Sequence, residues 1–175
     1  MKKIVLILFL LPIAVLAQEY NLPTDSTGRM IYSDVVRVDS VNADELFARA
    51  RQWFATAFVS AKDVIQNEDK QNHAITAKPT TIITYTAMGS ASEMGVVSYT
   101  VKVFTKDERY RYEVTDFYFR GQMSSGSFIE MGSPQNGYRK KDWERAREQV
   151  NTEARALIES LKNAMQVKSE GSKDW

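Results

Sequence analysis

The sequence predicts an α+β domain in which an antiparallel sheet of about five strands packs against two helices. Three patterns predict this class: segments of alternating apolar and polar residues, two stretches with apolar residues at helical spacing, and turn residues between them. The predicted order is strand, helix, four strands, helix. The length of 175 residues suits one domain, and a composition of 43% apolar and 26% charged residues excludes a disordered chain.

The chain begins with the features of a secretory signal peptide. Lys2 and Lys3 precede an apolar run over residues 4–17, which is shorter than the roughly 20 residues that a spanning helix needs. We therefore expect a signal peptide over residues 1–17, cleavage after Ala17, and an exported protein without a membrane span, in the periplasm or outside the cell. An uncleaved anchor is the alternative. Because the chain has no Cys, lipoprotein attachment is excluded.

Charge and residue usage exclude several function classes. Removal of Lys2 and Lys3 lowers the number of basic residues from 23 to 21, against 22 acidic residues. Such a near-neutral chain is a poor candidate for nucleic-acid binding, which depends on a clustered positive field. With no Cys and His73 as the single His, a disulfide, a thiolate site or a multi-His metal site is excluded. We expect no cofactor and no metal.

The first half of the chain predicts a strand, a helix and further strands. An extended lead-in over residues 18–28 precedes a strand over residues 30–38. Asn42 and Glu45 form a capping-box pattern at the start of a helix over residues 43–59. Its apolar stripe consists of Leu46, Phe47, Ala50, Trp53, Phe54, Ala57 and Phe58. A short hairpin (residues 64–66 and 73–76), a strand (81–87) and a flexible connection (89–95) follow.

The clearest hairpin joins residues 97–103 to residues 110–114. Its two-residue loop, Asp107-Glu108, sets a register in which Lys102 faces Glu113 and Thr100 faces Thr115, both favourable pairs. The same register places Arg111 opposite Phe104 and Phe117 opposite Ser98. From the first strand to the end of this hairpin, the predicted α+β core domain spans residues 29–121.

The rest of the chain predicts a loop, a helix and a tail. Residues 122–140 are rich in Gly and Ser and indicate a long loop, and residues 169–175 a polar tail. Residues 141–168 predict an amphipathic helix. Its stripe consists of Trp143, Ala146, Val150, Ala154, Leu157, Leu161 and Met165.

Residues 28–121 resemble a family of exported bacterial domains, DUF4468. The residues that carry the resemblance are Ile31-Tyr32, Glu45-Leu46, Trp53-Phe54, Val64-Ile65-Gln66, and Lys106-Asp107 with Arg109-Tyr110-Arg111-Tyr112. The resemblance implies a fold like that of the TATA-binding protein. It implies no activity, substrate or catalytic residue, and the name of the fold does not imply DNA binding. This chain has Glu108 where an Asp-Gly turn is expected.

Four side chains share strand parity on the second half of the hairpin and form the candidate ligand-binding set: Arg109, Arg111, Phe117 and Phe119. If the helices cover the other face of the sheet, these residues lie on an open face. Exposed rings and guanidinium groups bind a peptide, a glycan or another protein. In the alternative, a bulge buries Phe117 and Phe119 under the long loop or the second helix.

These observations favour a non-catalytic binding or interaction module of the cell envelope. Its partner is an envelope protein, a peptide or a glycan. One alternative is a hydrolytic enzyme that uses a carboxylate pair such as Glu113 and Asp116, although no phosphate loop, nucleophile elbow or metal-ligand spacing accompanies them. Another is a structural subunit of an envelope assembly, in which the long second helix meets a partner.

Overall fold

The computed structural model describes residues 22–87, 89–121, 125–128 and 137–167. They form one antiparallel sheet with helices packed against one of its faces, so the predicted α+β class is confirmed. Within these residues, no helix combines the length and the apolar character that crossing a membrane requires.

The sheet has seven strands in the described residues, where about five were expected. They are β1 (Tyr32–Arg37), β2 (Ile65–Asp69), β3 (Ala74–Ala77), β4 (Thr80–Ala87), β5 (Ser90–Lys106), β6 (Arg109–Gly121) and β7 (Ser125–Ser127). The order across the sheet is β1-β6-β5-β3-β2, while β4 pairs with the first half of β5 and β7 pairs with β6. The helices are α1 (Ala43–Ala57), α2 (Ala61–Val64) and α3 (Lys140–Gln166).

Two segments expected as loops contain strands. The chain turns at Gly89, where φ is +83°, and β5 begins at Ser90, so residues 89–95 are part of a β4–β5 hairpin rather than a flexible connection. The expected loop over residues 122–140 contains β7. Gly, Ser and Ala are weak strand formers, and these segments are strands because long neighbours pair with them. Residues 1–17 and 169–175 lie outside the described residues.

Helix α1 begins as its sequence predicts. The Glu45 N–H donates to Asn42 Oδ1 at 2.9 Å, which confirms the N-cap. A second acceptor comes from the distant β5–β6 turn, since the Ala43 N–H donates to Asp107 Oδ1 at 2.8 Å. The first five residues of the predicted apolar stripe are buried, namely Leu46, Phe47, Ala50, Trp53 and Phe54. The predicted stripe is wrong at its end, because Ala57 is exposed and Phe58 is partly buried beyond the last residue of the helix.

Helix α3 packs beside α1 and along β4. Trp53 of α1 donates through Nε1 to Ser160 Oγ at 3.0 Å. Gln149 accepts from the Thr84 N–H at 3.2 Å and donates to the Ile82 carbonyl at 2.9 Å. Its amide thus occupies the place of a neighbouring strand and covers an edge of β4 that would otherwise be open to pairing.

The predicted register of the β5–β6 hairpin is confirmed near its turn. Lys102 pairs with Glu113, Thr100 with Thr115, and Phe104 with Arg111. Glu108 has a φ of +62°, and Asp107 is not among the described residues with positive φ. A type I′ turn, which needs positive φ at both positions, is therefore not formed.

A β-bulge interrupts β6 beyond Thr115. Thr100 pairs with Thr115 but Ser98 pairs with Tyr118, so Tyr99 faces two residues, Asp116 and Phe117. Asp116 has a φ of +56°. The extra residue reverses which side chains of β6 face the helices, and the predicted pairing of Phe117 with Ser98 is wrong.

Candidate functional site

The structure separates the four candidate residues into two pairs. Arg109 and Arg111 are exposed on the face of the sheet opposite to the helices, which we call the open face. Phe117 and Phe119 are 5% and 0% exposed and belong to the core. The prediction that the four share one open surface is wrong, and the alternative of a bulge that buries the rings is correct.

Energetics explain why the bulge forms. A left-handed backbone costs roughly 1–2 kcal/mol for most residues, and Asp tolerates it better than others. Burial of a Phe ring gains roughly 1.5–3 kcal/mol. By accepting positive φ at Asp116, the strand turns two rings inward. Phe117 stacks on Tyr99 with ring centroids 5.3 Å apart, and Phe119 packs edge-on against Trp143 of α3 at 5.2 Å.

Three basic side chains lie side by side on the open face. Arg37 of β1 pairs with Arg109 of β6, and Arg109 pairs with Lys106 of β5, so one cation from each of three adjacent strands occupies the same register position. We call Arg37, Arg109 and Lys106 the basic row. Arg37 Nη2 lies 3.6 Å from the Asp39 carboxylate. Arg109 and Lys106 have no ion-pair partner among the described residues. Like charges placed directly opposite destabilise a sheet.

Arg111 occupies the next position along β6 on the same face. Its guanidinium carbon lies 4.7 Å from the centre of the Phe104 ring, and its Nη2 lies 3.3 Å from Glu113 Oε1. The guanidinium group thus lies over the ring in a cation–π contact while the side chain stays 51% exposed. On its other side, Arg111 pairs with Val35 of β1.

Lys106, Arg109 and Arg111 border a cavity of about 400 Å³, which we call the groove. Its lining is Val35, Asn72, Phe104, Thr105, Lys106, Arg109, Tyr110 and Arg111. Beside Asn72, the carboxylate of Asp69 accepts hydrogen bonds from the Asn72 backbone N–H at 3.0 Å and from its side-chain amide at 2.7 Å. The side-chain bond is the main reason why the pKa of Asp69 is lowered. The groove thus combines apolar and cationic side chains, and the nearby acid is already hydrogen-bonded.

Sequence reasoning identified Arg109 and Arg111 as candidates and missed the other residues of this site. Lys106 and Phe104 follow from the hairpin register by parity, so they were within reach. Arg37 and Val35 were not, because the pairing of β1 with β6 joins segments far apart in the sequence.

The other candidate groups have local partners. Glu113 pairs with Arg111, and Asp116 forms the bulge. His73, the single His of the chain, has positive φ just before β3, and its Nε2 lies 3.0 Å from Asp44 Oδ1. Within the described ranges, no group of His, Asp and Glu side chains is arranged to hold a metal ion.

A second cavity, of about 410 Å³, lies between the β4–β5 hairpin and the start of α3. Tyr85, Glu93 and Tyr138 line it together with Arg139 and Asp142, whose Nε and Oδ2 atoms are 2.6 Å apart. Because these two charges neutralise each other, this cavity offers a ligand less charge than the groove does.

Comparisons with known proteins identify the fold. Residues 32–120 match the model of a family described as a domain of unknown function (DUF4468) with TBP-like fold. A TBP-like protein from Parabacteroides distasonis ATCC 8503 is similar in structure, with a TM-score of 0.68 at 15% identity over 83% of this chain and 97% of its own. A DUF4468 family protein from Bacteroides ovatus ATCC 8483 gives a TM-score of 0.67 at 12% identity over 85% of this chain and 92% of its own. No curated protein matches the chain.

Proposed function

Because this chain belongs to the DUF4468 family, whose description gives a fold and no activity, we propose a function from its own side chains. The protein is an exported, non-catalytic binding module of the cell envelope. It binds an acidic surface of an envelope partner through the basic row and the groove on the open face. Residues 1–17 support export, since their pattern is that of a signal peptide.

The basic row is the observation that carries the proposal. Three cations at one register position repel one another, so the free protein loses stability by holding them there. An anionic partner removes that cost and gains charge-assisted hydrogen bonds, which are stronger than neutral ones. The two acids near the groove, Glu113 and Asp69, have local partners, which supports binding rather than acid–base chemistry.

Cross-linking in intact cells tests the proposal. We compare the wild type with Arg109→Glu, and use Arg145→Glu as the matched control because Arg145 is exposed on α3, on the helical side of the sheet. Arg145→Glu is expected to keep its stability within about 0.5 kcal/mol, and Arg109→Glu is expected to be no less stable than the wild type because it relieves the repulsion in the basic row. Arg109→Glu loses the cross-linked partner and Arg145→Glu keeps it. Equal capture by both variants contradicts the proposed site.

The mass of the exported protein tests its location separately. Intact-mass measurement on protein from the native host is expected to show a chain that begins at Gln18. Retention of residues 1–17 contradicts export with cleavage.

A further inference from the structure

We propose that the groove binds an extended peptide segment of the partner with two acidic side chains separated by one residue. This inference rests on the proposed function and names the chemistry of its ligand. The first carboxylate lies at the basic row, and the second lies at Arg111. The residue between them points away from the sheet.

The spacing of the cations along β6 supports this arrangement. Arg109 and Arg111 are two residues apart on one strand and emerge on the same face, so their Cα atoms are about 6.6–7 Å apart. An extended peptide has the same spacing between alternate side chains. Two carboxylates with one residue between them therefore meet two cationic positions without bending of either chain.

The charges on the open face limit the acidic part of the segment to two positions. The first position has the three cations of the basic row, and the second has Arg111 between Val35 and Phe104. At the third position Glu113 is the cross-strand neighbour of Lys102, and its carboxylate lies 3.3 Å from Arg111 Nη2, so an acid already occupies this position. A third carboxylate gains no net attraction.

The second position also favours a carboxylate with an apolar neighbour. The Arg111 guanidinium carbon lies 4.7 Å from the centre of the Phe104 ring, and Nη2 lies 3.3 Å from Glu113 Oε1, so a carboxylate of the peptide approaches the remaining N–H donors of the guanidinium group. Val35, 55% exposed beside Arg111, provides apolar contact. The cavity of about 400 Å³ holds a few side chains, whereas a membrane surface presents a plane of headgroups.

Fluorescence anisotropy with a defined probe tests the inference. The probe is a short labelled peptide with two glutamates separated by one valine. Its isomer has the same composition but adjacent glutamates, so that the second carboxylate points away from the sheet. We expect the purified protein to bind the alternating peptide about tenfold more tightly than the isomer, because one charge-assisted contact is lost.

Variants assign this preference to the groove. Arg111→Gln is expected to remove the difference between the two peptides, whereas Arg145→Gln, on the helical side of the sheet, leaves the tenfold difference unchanged. Circular dichroism confirms that both variants are folded. A preference that survives in Arg111→Gln overturns the assignment of the second position.

The outcome also separates this inference from the proposed function. Equal binding of both peptides, or binding of anionic vesicles or oligogalacturonate with no binding of either peptide, overturns the inference. If Arg109→Glu still abolishes cross-linking to the partner in cells, the proposed function stands and only the nature of the ligand is wrong. If Arg109→Glu retains the partner, the proposed function itself fails.

Discussion

Gly95 and Gly121 lie directly opposite each other across β5 and β6, and the ring of Phe119 covers both. A Cβ atom built at Gly95 would meet the Arg120 carbonyl oxygen at 2.5 Å and the Phe119 ring at 2.8 Å. At Gly121 it would meet the Tyr138 hydroxyl and the same ring. The two glycines thus provide the space into which the bulge directs Phe119.

Gly95→Ala is therefore expected to destabilise the protein by about 1–3 kcal/mol, as overpacking does. In an ordinary strand the same change stabilises by roughly 0.5–1 kcal/mol. The effect at Gly121 is smaller, because the Tyr138 side chain can move and the backbone carbonyl near Gly95 cannot. Urea denaturation measures both variants, with Ser90→Ala at the exposed start of β5 as the control. A stability gain for Gly95→Ala contradicts this packing.

Because of the bulge, neighbouring side chains of β6 are expected to differ in how much their replacement by Ala lowers the free energy of unfolding. Phe117→Ala and Phe119→Ala are each expected to cost about 3–5 kcal/mol, because both rings are buried. Tyr118, which lies between them and is exposed, is expected to change stability by no more than about 0.5 kcal/mol when replaced by Ala. The measurement is the free energy of unfolding in denaturant. Small losses for both phenylalanines, with a large loss for Tyr118→Ala, would show the opposite orientation of the strand.

Trp53 connects the two long helices, so its truncation tests their packing. Its ring lies 4.7 Å from that of Phe54, and its Nε1 donates to Ser160 Oγ across the α1–α3 interface. We expect Trp53→Ala to cost about 3–5 kcal/mol in denaturant melts. Val59→Ala, at a fully exposed position beyond the end of α1, is the control and is expected to be nearly neutral. A loss below about 1 kcal/mol for Trp53→Ala contradicts the packing of the stripe.

Ionisation of the buried Tyr32 hydroxyl is expected to lower the stability of the protein at high pH. Burial raises its pKa to about 12, and its hydroxyl donates to Asn151 Oδ1 at 2.8 Å. The unfolded chain releases the same proton near pH 10. The folded protein keeps its full stability below that pH and loses stability as the pH rises toward 12, because only the unfolded state ionises readily.

Denaturant titrations between pH 8 and pH 12 check this expectation. Burial also raises the pKa of Tyr99 to about 12, so the wild type has more than one contributing group. Tyr32→Phe is expected to show a shallower decline above about pH 10 than the wild type. An identical pH dependence would mean that Tyr32 ionises equally in both states.

Local patterns determined much of the fold. The alternation of apolar and polar residues set the faces of the hairpin near its turn, and the pairs Lys102–Glu113 and Phe104–Arg111 followed from it. Asn42 marked the start of α1 because an N-cap is a contact within one turn of the chain. Such features depend on neighbours in sequence, so the sequence by itself specifies them.

The tertiary structure decided the rest. Strand parity placed Phe117 and Phe119 beside Arg111, yet the bulge moved both rings to the other face, because their burial against Tyr99, Trp143 and two glycines outweighs the backbone cost at Asp116. Asp is depleted in strands, so Asp116 was a local sign of that bulge. The basic row likewise required Arg37, which only the long-range pairing of β1 with β6 brings beside Arg109. Whether a side chain reaches the core or the open face depends on the neighbours that the whole fold supplies.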